Sequence, residues 1–369
     1  MTRIIFGAII GFHGLVHVMG FVKAFGFHEI KELTQPISKS LGLIWLLTFL
    51  LFMAAVIQYL MKNQFWWLPA VIGLLISQTL VIIFWQDAKF GTVPNLVILI
   101  VSVIAFAGFA FDRNVSRDID KMFSLGASKA DSRVTPDVVK DLPAPVQKWI
   151  TNSGLIGKDD IHAVRLKQKA LMKMKPEQAK WADACAEQYF TLDPPAFIWK
   201  VDMQMMPLVK IAGRDKFFEG KGEILIKLLS LFPVVNSRGN EKIDVSTLQR
   251  YLGEMVWFPS AALSPYISWE KMDDLSAKAS MTYQGTTGSG VFYFDETGDF
   301  MKFSAQRYME SGDDAELHEW IITANESKVM NGIKIPVELE ATWKLKDGDW
   351  TWLKLEITDI EYNTAKQYR

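Results

Sequence analysis

The chain has 369 residues, half of them hydrophobic and 22% charged, with 40 Lys and Arg against 41 Asp and Glu. A mean hydropathy of +0.12 excludes a disordered chain and is high for a soluble one. The balanced charge excludes a basic nucleic-acid binder, and the one cysteine, Cys185, excludes an internal disulfide and a multi-cysteine metal site.

The charge is unevenly spread. Residues 1–112 carry six Lys or Arg and four Asp or Glu, whereas the other 257 carry 34 and 37. Four runs in the first part, 4–22, 41–61, 65–85 and 93–111, contain none of these residues. Each is long enough to cross roughly 30 Å of hydrocarbon as a helix. Trp66, Trp67 and Trp85 flank the third run, where indole rings favour the membrane interface. The connections are short, which predicts an up-down transmembrane bundle of four helices. The first run is too long for a signal-peptide apolar region and lacks a small-residue cleavage pattern, so it reads as a retained span. An even number of spans puts both ends on one side of the membrane. Arg3, Lys62, Arg113, Arg117 and Lys121 lie near that side, and Lys31, Lys39 and Lys89 near the other. The bias leans towards an inner (cytoplasmic) membrane protein with its C-terminal domain in the cytoplasm.

His13 and His17 lie four apart and share one face of the first helix. Two imidazoles in hydrocarbon are candidates for binding a metal or haem, or for relaying protons. The plainer reading is hydrogen bonding to neighbouring helices, which Gly7, Gly11 and Gly14 would let approach closely. Asp87 and Lys89, in the connection 86–92, read as a loop salt bridge at the membrane surface.

Residues 113–141 read as a linker, helix-compatible at first and then turn-rich. A short helix is expected at 144–153, with Pro145 near its start and Gly154 beyond its end. The expected organisation is therefore a four-helix domain over 1–112, a linker over 113–141 and a β-rich domain over 142–369. From there the pattern has period two. Phe197, Trp199, Val201, Met203 and Met205 share one face, and Lys200, Asp202 and Gln204 the other. Similar runs at 161–174, 179–190, 208–218, 223–229, 275–284, 289–295, 300–308, 317–325, 335–346 and 353–358 predict about eleven strands, several separated by Gly-containing turns. The predicted fold is a mainly antiparallel sheet, curved or closed to a half-barrel, with a helical interruption at 246–258.

The apolar face of such a sheet is either an ordinary core or the wall of a cavity. Trp199, Met203, Met205 and Trp257 are the candidate lining, and methionine suits variable apolar ligands. Arg250 and Glu254, at i and i+4, can pair on one helix face, and Asp215 and Arg307 are candidates to join them. Such a cluster could meet the polar end of a ligand or act as acid and base; the plainer role is to orient the helix. The cations Arg165, Lys167, Lys169, Lys173 and Lys175 read as guards on an edge strand. Cys185 reads as a buried, inert thiol. There is no G-x-S-x-G, P-loop or dinucleotide fingerprint, so no cofactor is expected, and the question of an enzymatic activity stays open with the balance against it.

The segments His13-Gly14-Leu15-Val16-His17, Gly20-Phe21-Val22-Lys23-Ala24-Phe25, Leu33-Thr34-Gln35-Pro36-Ile37-Ser38 and Asp87-Ala88-Lys89-Phe90-Gly91-Thr92 resemble those of an uncharacterised bacterial four-helix membrane-protein family. Pro194-Pro195-Ala196-Phe197-Ile198-Trp199, Gly220-Lys221-Gly222 and Arg250-Tyr251-Leu252-Gly253-Glu254 with Trp257-Phe258-Pro259 resemble its C-terminal domain of unknown function. The sheet-plus-helix pattern is also similar to the half-barrel of lipoprotein-localisation carriers. That likeness, of fold alone, implies a cavity for acyl chains. The expected function is a membrane-anchored binding or carrier protein whose partner is a membrane lipid or another lipophilic small molecule, and not nucleic acid. The alternatives are a redox or transport bundle built on His13 and His17, and an enzyme acting on a lipid or envelope substrate.

Overall fold

The structure is a computed structural model that describes residues 2–126, 132–206 and 209–368. The chain divides into two compact units, Met1–Asp112 and Arg113–Arg369. Part of the expected linker, residues 127–131, lies outside the described residues.

The first unit is helical: α1 (Thr2–Ala24), α2 (Lys39–Leu60), α3 (Trp67–Ile83), one turn α4 (Trp85–Ala88) and the start of α5 (Thr92–Leu125). Among the described residues, three helical stretches are long and apolar enough to cross a membrane: Arg3–Ala24, Lys39–Leu60 and Trp85–Leu125. The third run, expected to be a fourth span, is shorter. It forms only the 17 residues of α3, because the backbone leaves the helical region at Phe84. Seventeen residues rise about 26 Å, against roughly 30 Å of hydrocarbon. With three long helices instead of four, the parity that placed both chain ends on one side no longer follows. Ile10, Phe52, Leu74 and Ile98 bring α1, α2, α3 and α5 into one core. Two glycines of α1 permit this approach: a Cβ on Gly14 would lie 2.9 Å from Met53, and one on Gly20 2.2 Å from the Trp45 ring. The expected Asp87–Lys89 salt bridge is replaced by another device. The Asp87 carboxylate accepts hydrogen bonds from Thr34 N (2.7 Å), Thr34 Oγ1 (2.7 Å) and Gln35 N (3.1 Å), tying down the loop between α1 and α2.

The second unit contains the end of α5, the short helices α6 (Pro136–Val139) and α7 (Ala144–Asn152), and one antiparallel sheet. Its strands are β1 (Ala163–Met172), β2 (Ala182–Leu192), β3 (Pro195–Met206), β4 (Val209–Phe218), β5 (Lys221–Leu228), β6 (Phe232–Arg238), β7 (Ile267–Lys271), β8 (Ser276–Tyr283), β9 (Thr286–Phe294), β10 (Phe300–Tyr308), β11 (Leu317–Met330), β12 (Ile333–Leu345) and β13 (Gly348–Tyr362). Among the described residues the sheet has thirteen strands in the order β6-β5-β4-β3-β2-β1-β13-β12-β11-β10-β9-β8-β7. The two strands that the periodicity leaves out, β6 and β7, are its two edges. β1 lies at the centre, so its row of cations does not guard an edge. Arg165 instead pairs with Glu361 at 2.7 Å, and Lys167 lies opposite Glu187 and Asp359 on the two flanking strands. Cys185, expected to be buried, is exposed on β2.

The sheet curls around one helix, α8 (Glu241–Glu254), which touches β4, β5 and β6 on one side and β8, β9 and β10 on the other. It begins five residues before the helical run read from the sequence. The Asn240 side chain caps it by accepting from Lys242 N. Such enclosure requires close backbone approach. A Cβ on Gly222 would lie 2.3 Å from Thr247 Oγ1, and one on Gly253 2.8 Å from the Phe303 ring. Several buried polar groups of α8 find partners beyond the helix. Asp244 accepts from Gly222 N at 2.8 Å, and Gln249 donates to Ser289 O and Gln306 O. Opposite ends of the sheet also meet, Thr286 Oγ1 donating to Gly220 O at 2.9 Å. On the other face, Asp118 of α5 pairs with Arg214 of β4 at 2.7 Å.

Candidate functional site

The curl of the sheet leaves a cavity of about 530 Å³ beside the C-terminal half of α8, within the roughly 300–1,000 Å³ of small-molecule sites. Its wall is mainly apolar, with Met172, Val201, Met203, Ile211, Leu339 and Leu355 among the lining residues. Of the residues read from the sequence, Trp199, Met203, Asp215, Arg250, Glu254, Trp257 and Arg307 line this cavity. Met205 does not. It is 43% exposed, because the β3–β4 register shifts between Gln204 and Met206 and takes it off the concave face.

The polar lining residues are joined, through Gln168 and Gln188 behind the wall, in a continuous hydrogen-bonded chain. Trp199 Nε1 donates to Gln168 Oε1 (2.8 Å), Gln168 Nε2 to Gln188 Oε1 (3.1 Å), and Gln188 Nε2 to Glu254 Oε2 (2.7 Å). Arg250 then donates from Nε to Glu254 Oε1 (2.8 Å) and from Nη1 to Asp215 Oδ2 (2.5 Å). Its guanidinium carbon lies 4.6 Å from the centre of the Trp199 ring. Every group in the chain is buried or nearly so; Asp215 is the most open, at 13% of its side chain. Burial pushes the carboxyls of Asp215 and Glu254 above the usual carboxylate range, against the pull of Arg250. Burial alone would lower Arg250, but Glu254 and Asp215 more than offset it and hold its pKa up.

Arg307 is placed differently. Its Nε donates to Ser246 O of α8 at 3.0 Å, and its guanidinium carbon lies 4.3 Å from the Trp320 ring centre and 5.6 Å from that of Trp343. Burial, with Arg250 as a second cation nearby, pushes its pKa down to about 9.

Sequence reasoning overlooked Gln168, Gln188, Trp320 and Trp343. The two glutamines did carry a signal. Gln168 interrupts the apolar face of β1 formed by Val164, Leu166, Ala170 and Met172, and Gln188 interrupts that of β2 between Ala186 and Phe190. A polar residue in the buried register of a strand requires a buried partner.

His13 and His17 lie in the first unit. His13 Nε2 is 2.9 Å from Asn95 Oδ1 and 3.2 Å from Ser77 Oγ. His17 Nδ1 is 2.9 Å from His13 O, and its Nε2 is 3.0 Å from Ser77 Oγ. A carbonyl only accepts, so His17 donates from Nδ1, and its Nε2 accepts from the serine hydroxyl in the neutral ring. No group of three or more metal-ligating side chains occurs among the described residues. A second cavity, of about 700 Å³, reaches these histidines and is lined mostly by apolar residues of α1 together with Trp45, Asp87 and Phe90.

No curated protein matches the chain. Among solved structures, that of a DUF1329 family protein from Desulfovibrio piger is similar over 61% of this chain and 94% of its own, at 9% identity and a TM-score of 0.34. The model of DUF6920, a family of unknown function, matches residues 140–362, a stretch that holds the whole cavity of the second unit, and the chain belongs to that family.

Proposed function

We propose that the protein is a membrane-anchored carrier that holds a lipophilic ligand in the cavity of its β unit. The observation that carries this reading is the cavity itself. A packed core leaves few voids larger than a water molecule, whereas here sheet and helix leave an open-mouthed cavity of about 530 Å³ with mainly apolar walls and one buried charged cluster. That combination suits an amphiphile, with the tail against the methionines and aliphatic residues and the head near the arginines. The anchor rests on three long apolar helices and on the apolar surface of the first unit. Ile4, Phe12, Leu75, Ile82 and Phe90 are between 61% and 77% exposed, an arrangement suited to lipid and unfavourable in water.

The test is native mass spectrometry of the full-length protein purified in mild detergent, with extraction and identification of whatever is retained. One lipid or isoprenoid per chain is expected, displaced by a Val201→Trp substitution that fills the cavity. Wild-type protein that retains no lipid and takes up none from added vesicles would overturn the reading.

A further inference from the structure

The two arginines of the cavity differ in what they already hold. Arg250 engages two carboxylates, Asp215 through Nη1 and Glu254 through Nε, and the second oxygen of Glu254 is taken by Gln188. Arg307, 7% exposed on β10, pairs directly with neither, although Asp215 and Glu254 attract it from a distance. Among the described residues its only hydrogen bond runs from Nε to Ser246 O, and it makes no ion pair. Arg307 lines the cavity, and its two terminal nitrogens have no hydrogen-bond partner among the described residues. Trp320 and Trp343 hold the plane of the guanidinium without neutralising it. A buried cation with an open fork is costly unless something fills it, and the planar fork matches two oxygens of one acidic group.

We propose that the cavity takes an anionic amphiphile, a hydrocarbon tail ending in a carboxylate or phosphate monoester, and that Arg307 is the counter-charge of its head group. This rests on the carrier reading above and narrows its ligand. Arg250, neutralised by its own carboxylates, is a scaffold that holds α8 to β4; Arg307 is the binding residue. A neutral lipid would leave the fork of Arg307 open, and a cationic one would be repelled by it. The apolar wall of Val201, Met203, Ile211 and Leu339 receives the tail.

The experiment compares oleate with oleyl alcohol, which has the same tail and no charge, on delipidated full-length protein. Binding is read as ligand retained per chain at increasing ligand concentration. Wild-type protein is expected to bind oleate at least tenfold more tightly than oleyl alcohol. Arg307→Met is expected to abolish that preference while still binding the alcohol, and Arg307→Lys to keep part of it. Equal binding of both probes by wild-type protein would overturn the anionic ligand and leave the carrier reading standing. Binding of neither would overturn both. Should Arg307→Met fail to fold, the two probes on wild-type protein still decide the anionic ligand, and Arg307→Lys decides the residue: unchanged preference for oleate in that variant would overturn the assignment to Arg307.

Discussion

Trp199 and Asp215 are register partners across β3 and β4, so the ring beneath Arg250 and a carboxylate that binds it sit side by side on the sheet. Gln188 is the partner of Trp199 on its other side, on β2. One row across three strands thus supplies three of the six members of the polar chain. Gln168 of β1 is a fourth, and helix α8 supplies the other two through a single i, i+4 pair. The site is therefore a product of strand register, and a one-residue slip would turn every member of the row outward.

Trp199→Ala removes the ring under Arg250, leaves Gln168 Oε1 without its donor and enlarges the cavity. A loss of about 3–5 kcal/mol is expected, as for buried tryptophans truncated to alanine. Trp199→Phe keeps one ring against Arg250 but loses the indole N–H and the five-membered ring, for which about 1–3 kcal/mol is expected. Thermal unfolding of both variants in detergent separates stacking from hydrogen bonding, and equal losses would show that the ring contributes little.

Arg307→Met is expected to stabilise the ligand-free protein by about 1–3 kcal/mol, because it replaces with an apolar chain a buried charge whose desolvation outweighs its attraction to Asp215 and Glu254. The gain depends on pH with a definite sign. At neutral pH Arg307 is charged in both states, and only the folded state bears the desolvation. Above about pH 9 the folded state sheds the proton while the unfolded state still keeps it, so the advantage of methionine shrinks. Unfolding free energies of both proteins at pH 7 and pH 10 check this. A methionine variant that is less stable at pH 7 would mean that the folded protein already compensates the charge.

Ser77 touches both imidazoles and Asn95. Ser77→Ala leaves His17 Nε2 and one Asn95 N–H without that partner, and a loss of about 1–3 kcal/mol is expected. Elemental analysis and an absorption spectrum of the purified protein bear on the same network. One metal or haem per chain would show that the imidazoles serve as ligands and that the hydrogen bonds seen here give way to coordination.

Much of the second unit was legible because its strands are long and one-sided. Trp199, Val201 and Met203 announce the concave face of β3 by alternation alone, and Arg250 and Glu254 announce a pair by spacing. The edges were illegible for the converse reason. β7 has only five residues, and β6 contains Pro233 and is mostly exposed, so neither carries a buried face to read. In the first unit hydropathy gave the apolar runs but not the departure from helix at Phe84, which depends on backbone angles that an apolar sequence does not encode. The meeting of Asp215, Arg250, Glu254 and Arg307 depends on how far the sheet curls, a property of thirteen strands together and of no single segment.

Six of the protein's thirteen tryptophans, Trp199, Trp257, Trp320, Trp343, Trp350 and Trp352, line one cavity. Indole emission reports the polarity around the ring, and two of these rings lie against a guanidinium that an arriving anion would engage. Filling the cavity would therefore change the protein's own fluorescence. A label-free titration of candidate compounds needs no knowledge in advance of what the cavity holds.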